Sequence, residues 1–403
     1  MPTSTIPAPF TAPPGATNGT SEDFALVLGG GGARGAYQAG VLRGIGRQFP
    51  QLRIPILTGI SAGAVNAAHL ARHPGPLHAA ADDLTELWLG LAPENVYDID
   101  VLPLLRNVVG WGARLISGGR GHRREPIRGM VDTSPLRGFL HRALQAGADD
   151  TLPGIADNIE RGVLRAVALS AISYTTGQSV TWIEGRGVEP WQRPQRSSET
   201  TRLTVPHVMA SSALPMLFPA VQVGDEWFGD GGIRMNAPLS PALHLGATRI
   251  LTISTRSQPT RIEATQRVVA GYPPPAQVLG VLYSSIFLDA IDADIVRLER
   301  LNRLLGPLPP SKRERMRIVD ILVLRPSRDL AKLAAEFEAR LPAVIRYLTR
   351  GWGTLQTASP DVLSLLLFQT EYARRLIELG EADAVSQWAR IEAFLTPVKS
   401  VAG

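Results

Sequence analysis

The sequence predicts an α/β fold, a three-layer sandwich in which a mainly parallel central sheet is flanked by helices. Three observations predict it. Short, continuous apolar runs, which suit strands buried on both faces, recur along the chain. Stretches with helical spacing lie between most of these runs. A unit of strand, glycine-rich turn and helix occurs twice near the start, so each turn lies at the carboxyl end of a strand.

The two repeated units lie within the first 75 residues or so. The first begins at the apolar run Phe24–Leu28, continues through the motif GGGGARG at Gly29–Gly35, and has helical spacing over Ala33–Phe49. The second begins at Ile54–Leu57 and continues into Ala62–Ala71, which is rich in small helix-forming residues. Both units therefore predict a buried strand that turns sharply into a helix.

Later apolar runs predict the rest of the sheet. They are Val163–Ile172, Val180–Ile183, Ile250–Ile253 and Ile318–Leu324. The polar, proline-containing segment Glu184–Thr201 predicts an exposed loop. Beyond Leu324 the spacing is helical, which predicts a helical C-terminal extension. Its helices are expected within Leu330–Tyr347, Val362–Leu379 and Val385–Leu395.

The domain organisation follows from composition. Residues 1–22 are rich in Pro, Thr, Ser and Gly, and they predict a disordered tail rather than a signal or transit peptide. Residues 23–325 form the main domain and residues 326–403 the extension. Within the main domain, about 77–148 is an insertion of helical pieces around an arginine-containing loop, either a cap over the site or a solvated segment. Its arginines are Arg106, Arg114, Arg120, Arg123, Arg124 and Arg128.

Composition excludes several classes of protein. The chain of 403 residues has no cysteine, which excludes disulfides and thiolate chemistry. Its net charge of +5 is spread without a basic run, so it does not predict nucleic-acid binding. No segment has the ~18 uninterrupted apolar residues of a membrane span. We therefore expect a cytoplasmic protein whose contact with membranes is peripheral at most, and its oligomeric state stays open.

Ser61 is the candidate nucleophile. It is the serine of GISAG, Gly59–Gly63, the only GxSxG in the chain, at a predicted turn from strand to helix. Such a turn strains the serine backbone and exposes its hydroxyl, and glycines on either side avoid collisions with neighbouring backbone. The alternative is that Ser61 only caps the following helix.

The motif GGGGARG has two interpretations. It satisfies GxGxxG after a strand, the dinucleotide-binding pattern, but that pattern needs an acidic residue ~20 positions later. No Asp or Glu lies between Asp23 and Asp82, which disfavours a nucleotide cofactor. The other interpretation is an oxyanion hole, in which glycine N–H groups converge at a helix N-terminus beside Ser61. Arg34 either supports this loop or is a surface residue.

The candidate base is Asp230 rather than a histidine. Asp230 lies in the segment FGDGG, Phe228–Gly232, where two glycines permit a close turn. Trp227 and Phe228 are expected to desolvate the carboxyl group, which raises its pKa from ~3.9 towards the range of a general base. The alternative is a plain turn.

Histidine is the usual base for a serine nucleophile, and the chain has seven. None has a setting that favours catalysis. Only His244 follows the acid in the order serine, acid, histidine, and it lies on a predicted apolar helix, which favours an ordinary packed histidine. The others are His69, His73, His78, His122, His141 and His207.

Together, these three motifs resemble those of the patatin-like phospholipase family, in the family's order. They are Gly29–Gly35, Gly59–Gly63 and Asp230–Gly232. The segment ASSALPMLFP at Ala210–Pro219 resembles the one that precedes the aspartate in that family. The resemblance covers roughly Phe24–Ser254.

The resemblance implies a hydrolase that cleaves acyl esters of phospholipids, lysophospholipids or neutral lipids without a metal or another cofactor. Ser61 would be the nucleophile, Asp230 its base, and Gly30, Gly31 and Gly32 would hold the oxyanion. The motif glycines Gly35, Gly59, Gly63, Gly231 and Gly232 accompany them. Three alternatives stay open: a triad esterase that uses His244, a lipid-binding protein without activity, and a nucleotide-binding oxidoreductase.

One further segment concerns membrane access. Ala276–Leu305 has apolar residues at helical spacing, with charged residues in its second half. This pattern fits either a helix at the membrane interface or one that packs on its own domain, and we favour the second interpretation.

Overall fold

The structure is a computed structural model that describes residues 23–97, 131–258, 265, 271–314, 316–338 and 361–396. Ten strands form one sheet among these residues. They are β1 (Phe24–Leu28), β2 (Ile56–Ile60), β3 (Ala166–Ser173), β4 (Ser179–Gly185), β5 (Gln192–Arg193), β6 (Arg196–Thr200), β7 (Val221–Val223), β8 (Glu226–Asp230), β9 (Arg249–Ile253) and β10 (Asp320–Leu324).

Helices cover the sheet. In chain order they are α1 (Gly35–Gln48), α2 (Ala62–Arg72), α3 (Leu77–Gly90), α4 (Pro93–Val96), α5 (Ser134–Ala143), α6 (Pro153–Glu160), α7 (Val205–Ser211), α8 (Ser240–His244), α9 (Pro275–Phe287), α10 (Ala290–Leu305), α11 (Leu330–Ala335), α12 (Asp361–Leu366), α13 (Thr370–Ser386) and α14 (Trp388–Leu395). Two sequence predictions concern residues outside the described ranges. They are the disordered tail at residues 1–22 and the arginine-containing loop of the insertion.

The sheet is mostly parallel. Its order is β10-β9-β1-β2-β3-β4-β6-β5, and the hairpin β7–β8 joins it through β3. The pairs from β10 to β3 are parallel, whereas β4 and β8 each pair with β3 in the antiparallel sense. The carboxyl ends of β1, β2 and β9 therefore meet at one edge, where ligands bind in open α/β sheets.

Side chains of β1 show that the sheet is covered on both faces. Phe24, Leu26 and Leu28 belong to the larger hydrophobic core, while Ala25 and Val27 belong to the smaller one. Successive residues of a strand point to opposite faces, so a strand buried on both sides has a continuous apolar sequence. The predicted three-layer α/β fold is confirmed.

Two local expectations were wrong or incomplete. The segment expected as an exposed loop, Glu184–Thr201, contains β5 and β6, and β6 pairs with β4. Its polar sequence reflects a sheet edge, where strands need not be apolar. The sequence did not predict the hairpin β7–β8, because its strands are short and half-exposed.

The C-terminal helices pack closely on the first helix of the sheet layer. Helix α13 lies against α1, and the contact uses glycines: a Cβ at Gly40 would lie 2.1 Å from the carbonyl oxygen of Ile377. The Tyr37 hydroxyl donates a hydrogen bond of 3.0 Å to Asp383 in the same interface. Such short interhelical distances leave no room for side chains between the two backbones.

The segment Ala276–Leu305 forms two helices with different surroundings. Helix α10 buries Ile291, Ile295, Leu298 and Leu305 against the domain. Helix α9 leaves Val278, Val281 and Leu282 about half exposed, at 48%, 54% and 51%. Helix α10 therefore packs on its own domain as we favoured, whereas α9 packs through Tyr283 and Phe287 and leaves an apolar face exposed.

Candidate active site

Ser61 occupies the sharp turn between β2 and α2. Its backbone has φ 57° and ψ −128°, a left-handed conformation that costs energy for a residue with a side chain. The flanking glycines make the turn possible, because a Cβ at Gly59 would lie 2.3 Å from the Gly63 carbonyl oxygen. A Cβ at Gly63 would lie 2.1 Å from the carbonyl oxygen of Leu28. The Ser61 side chain does not cap α2, so the hydroxyl is not used for that purpose.

The glycine loop after β1 lies directly over this hydroxyl. A Cβ at Gly30 would lie 3.1 Å from Ser61 Cβ and 3.6 Å from its Oγ. Gly31 and Gly32 have φ of 153° and 54°, which side chains disfavour. The N–H groups of Gly30 and Gly31 donate to no other group in the described part of the chain. Two backbone donors beside the hydroxyl therefore remain available to a ligand.

Polar side chains hold the loop through its carbonyl oxygens. Thr255 Oγ1 donates a hydrogen bond of 2.8 Å to the Gly30 carbonyl oxygen. Gln38 Nε2 donates to the Gly29 carbonyl oxygen at 3.0 Å, and Asn66 Nδ2 donates to Gln38 Oε1 at 2.8 Å. Because the carbonyl oxygens are bound on this side, the peptide N–H groups of the loop are fixed in orientation.

The register of β3 brings Asp230 next to Ser61. Ile60, the last residue of β2, pairs with Ser170, and Asp230, the last residue of β8, pairs with Ala171. The two strands approach from opposite directions and end at consecutive positions of β3. Residues separated by most of the domain in sequence are thus adjacent at the carboxyl edge of the sheet.

The Asp230 carboxyl group is buried, with no exposed surface. Burial raises its pKa to about 7, while the Ser61 hydroxyl and the Gly232 N–H offset part of the increase. Oδ1 accepts the Gly232 N–H at 2.9 Å. Oδ2 has no partner with hydrogen-bond geometry in the described residues, so the approach of Ser61 is looser than a full hydrogen bond. Such contacts often tighten only when substrate binds.

Close packing surrounds the aspartate. A Cβ at Gly231 would lie 2.2 Å from the Ser170 carbonyl oxygen, and one at Gly232 would lie 2.2 Å from the Phe287 ring. Phe228 is 5% exposed and lies on the same face of β8 as Asp230. Trp227 does not contribute to the burial expected from sequence, because it is 41% exposed: it alternates with Phe228 and Asp230 along β8 and so points to the other face.

A narrow cleft lies beside the loop, with a volume of about 30 Å³. Its lining is mainly apolar, and includes Gly30, Ile60, Gly232, Ile286 and Phe287. This volume holds about one water molecule. A larger ligand would therefore need movement of Phe287 or of helix α9 to enter here.

The sequence profile of the patatin-like phospholipase family matches residues 26–243, which include both Ser61 and Asp230. The chain belongs to this family. A comparison with curated proteins finds no match.

Solved structures similar to this patatin-like chain include one human and one bacterial protein. Human GIVD cytosolic phospholipase A2, in complex with methyl gamma-linolenyl fluorophosphonate, is 14% identical with a TM-score of 0.42. The match covers 93% of this chain and 59% of the human one. VipD from Legionella pneumophila is 12% identical with a TM-score of 0.30, over 94% of this chain and 89% of that one. These superpositions are loose.

Arg34 is not a surface residue in this patatin-like domain. It is 2% exposed, and its guanidinium binds two residues of helix α12. Nη2 lies 2.6 Å from Asp361 Oδ1, and Nε lies 2.8 Å from Ser364 Oγ. The interpretation of Arg34 as loop support is therefore consistent with its contacts.

The histidines have other surroundings. His244 stacks on Trp191 with 4.4 Å between ring centroids. Burial, followed by three arginines, lowers the His244 pKa to about 4. His69, His73, His78, His141 and His207 make no hydrogen bond to Ser61 or Asp230, and His122 lies outside the described residues.

Sequence reasoning missed two serines that hold the Ser61 backbone. Ser211 Oγ accepts the Ser61 N–H at 3.1 Å and donates to the Ser170 carbonyl oxygen at 2.6 Å. Ser212 Oγ donates to the Ser61 carbonyl oxygen at 3.0 Å. Both lie in the segment Ala210–Pro219 that resembles the family, and this was the only sequence signal for them.

Two further features of the described residues concern metal binding and membrane insertion. In the parts of the chain that the structure describes, no group of three or more His, Asp or Glu side chains is arranged to hold a metal ion. None of the described helices has both the length and the apolar character to cross a membrane.

Proposed function

We propose that this chain is a serine lipid acyl hydrolase, of the phospholipase A or lysophospholipase type, that uses Ser61 and Asp230 as a catalytic dyad. One arrangement carries the proposal: a strained serine packed against a glycine loop that has two N–H groups without a partner in the described residues, and beside a buried carboxyl with a pKa raised to about 7. Backbone strain and a raised carboxyl pKa both cost stability, and enzymes keep such costs at functional sites.

In the first half of the reaction, Ser61 Oγ attacks the ester carbonyl carbon and its proton passes to the Asp230 carboxylate. The carbonyl oxygen becomes an oxyanion, and the N–H groups of Gly30, Gly31 and Gly32 stabilise it. The C–O bond to the alcohol then breaks, and the alcohol leaves with the proton from Asp230. Ser61 carries the acyl group at this point.

In the second half, Asp230 accepts a proton from water while the water oxygen attacks the acyl carbon. A second oxyanion forms on the same glycines and collapses, the Ser61 oxygen recovers the proton, and a fatty acid is released. A base with a pKa near 7 suits both directions of proton transfer at neutral pH. The surroundings of the described histidines support a dyad over a triad that includes His244.

The exposed apolar face of α9 supports a lipid surface as the partner. Val278, Val281 and Leu282 are about half exposed, and the same helix reaches the site through Phe287. Tyr283 Oη donates a hydrogen bond to the Pro215 carbonyl oxygen, which anchors the helix at the site's edge. An apolar patch that adjoins an ester-cleaving site would let lipid enter without crossing water.

Labelling and hydrolysis test the proposal together. A fluorophosphonate should label the full chain, and peptide mass spectrometry should locate the adduct on Ser61. Ser61→Ala and Asp230→Asn should each reduce hydrolysis of a short-chain ester by roughly 10³-fold or more. Ser311→Ala and Asp225→Asn change the same residue types at exposed positions and should have no effect. Labelling elsewhere, or full activity in Ser61→Ala, would refute the dyad.

A further inference from the structure

Helix α12, outside the segment that the family profile matches, is in direct contact with the glycine loop. The φ of 54° at Gly32 places the loop so close that a Cβ there would lie 2.1 Å from the Leu365 carbonyl oxygen. No side chain larger than hydrogen fits between these backbones. The helix therefore limits how far the loop can extend towards it.

The Arg34 guanidinium makes this contact specific. Ser364 Oγ accepts hydrogen bonds from Nε at 2.8 Å and from Nη2 at 2.5 Å, and donates one to the Asp361 carbonyl oxygen at 2.6 Å. Asp361 Oδ1 accepts from Nη2 at 2.6 Å. Ser364 has no exposed surface and the Arg34 side chain is 3% exposed. The buried cation thus depends on these two side chains.

The loop is held from two sides. Thr255 binds the Gly30 carbonyl oxygen on one side, and α12 binds Arg34, two residues beyond Gly32, on the other. If the second support is lost, an unpaired buried guanidinium must move to water or to another partner, and the short turn Gly32–Arg34 must move with it.

We propose that Asp361 and Ser364 are positioning residues, which hold Arg34 so that the N–H groups of Gly30, Gly31 and Gly32 face Ser61. This inference rests on the proposed function, since it assigns those N–H groups to the oxyanion. It places part of the active-site support beyond residue 243, where the family match ends. The C-terminal helices would then complete the site instead of only extending the domain.

The test compares three variants of the full chain. Asp361→Asn and Ser364→Ala remove the two partners of Arg34. Glu381→Gln is the matched control, because Glu381 also joins a C-terminal helix to α1, through Arg43 and Arg47, but away from the loop. Each variant is measured for Tm, for hydrogen–deuterium exchange of the peptide that contains Gly29–Ala33, and for kcat and KM on a short-chain ester.

We expect the Arg34-partner variants to change loop exchange and kcat, and the control variant to change only Tm. In Asp361→Asn and Ser364→Ala, exchange of the loop amides should accelerate by about 10-fold, and kcat should fall by about 10-fold with KM changed by less than about 2-fold. Glu381→Gln should lower Tm by a similar amount without changing loop exchange or kcat. Asp361→Glu, which keeps the charge, should restore part of the loss.

Loop exchange at the wild-type rate in both variants would overturn the positioning role. So would a fall in Tm with kcat unchanged, since that result assigns Arg34 and α12 to stability alone. Failure of the proposed function is a separate outcome: the wild-type chain would then not be labelled on Ser61, whereas the exchange measurement needs no activity and still decides whether α12 fixes the loop.

Discussion

Ser211 accepts a hydrogen bond from the backbone N–H of Ser61 at 3.1 Å, and so links α7 to the strained turn. Its hydroxyl also donates to the Ser170 carbonyl oxygen, on the strand where β2 and β8 meet. One side chain therefore ties the candidate nucleophile to the strand that sets its distance from Asp230.

We predict that Ser211→Ala lowers kcat about 10-fold with little change in KM, because a buried N–H loses its acceptor and the turn loses its link to β3. Ser179→Ala is the control, since Ser179 is 1% exposed and its hydroxyl has no hydrogen-bond partner in the described residues. Steady-state kinetics on a short-chain ester measure both. Equal rates for wild type and Ser211→Ala would show that the turn needs no such link.

The pH dependence of activity should report Asp230. Because the base must be ionised and burial raises its pKa to about 7, kcat/KM should rise with pH, reach half its maximum near pH 7 and level off above about pH 8. His244→Ala should keep the same profile, since the His244 pKa is near 4 and its ring stacks on Trp191. A profile that moves in His244→Ala would instead support a triad.

Stability should depend on the same group with a defined sign. The pKa of Asp230 is higher in the folded chain than its ordinary value of 3.8, so the folded state keeps a proton that the unfolded state releases. This contribution is complete below pH 3.8 and is lost as pH rises through about 7.

We therefore expect Asp230→Asn to gain stability relative to wild type as pH rises from 5 to 8, by up to roughly 2.5 kcal/mol. Thermal unfolding at both pH values measures the difference. The exposed Asp225→Asn should show no such trend. A difference in Tm between Asp230→Asn and wild type that is the same at both pH values would contradict the raised pKa.

The glycine loop offers a test at neighbouring positions. Gly30→Ala places a methyl group 3.1 Å from Ser61 Cβ, so we predict a folded chain with kcat lowered about 10-fold or more. Gly29→Ala is the matched control, because a Cβ at Gly29 meets no described atom within 4 Å. Circular dichroism verifies folding, and ester hydrolysis separates the variants. If both retain full activity, the loop does not face the reacting atoms.

Contact with lipid should depend on α9. We predict that Val281→Asp and Leu282→Asp reduce the fraction of the chain that sediments with phosphatidylcholine vesicles several-fold, because each puts a charge on the apolar face. Hydrolysis of a soluble short-chain ester should be unchanged. Val296→Asp, on α10, alters a residue that is 61% exposed but lies on the other helix, and should bind like wild type. Equal loss in all three variants would argue against a specific face.

Sequence patterns predicted the parallel strands because a strand buried on both faces has a nearly continuous apolar sequence, as β1 and β3 do. They could not predict β6 or β8. Strand β6 lies near a sheet edge, and β8 belongs to a hairpin whose strands have only three and five residues. Neither position requires a continuous apolar run that a sequence pattern could detect.

The residues of the candidate site also form two groups, those that the sequence predicted and those that it did not. The sequence predicted Ser61, Asp230 and the loop glycines because each lies in a short local motif. Steric demands restrict the neighbouring positions of these motifs to glycine. Ser211, Thr255 and Asp361 were not, because their roles depend on which backbone or side-chain groups they meet across 150, 225 and 327 positions of the chain. A lone serine or aspartate has no local pattern that indicates a distant partner. Of these three residues, only Ser211 lies in a segment that the family resemblance indicated.

The hydrogen bond between Arg34 and Ser364 joins residues 330 positions apart, so one of the loop's two supports comes from near the end of the described chain. During synthesis the ribosome releases Ser61 first, Asp230 much later and Ser364 last. If α12 fixes the loop as proposed, a nascent chain or a protease fragment that stops before residue 361 would contain both dyad residues and still cleave lipid poorly.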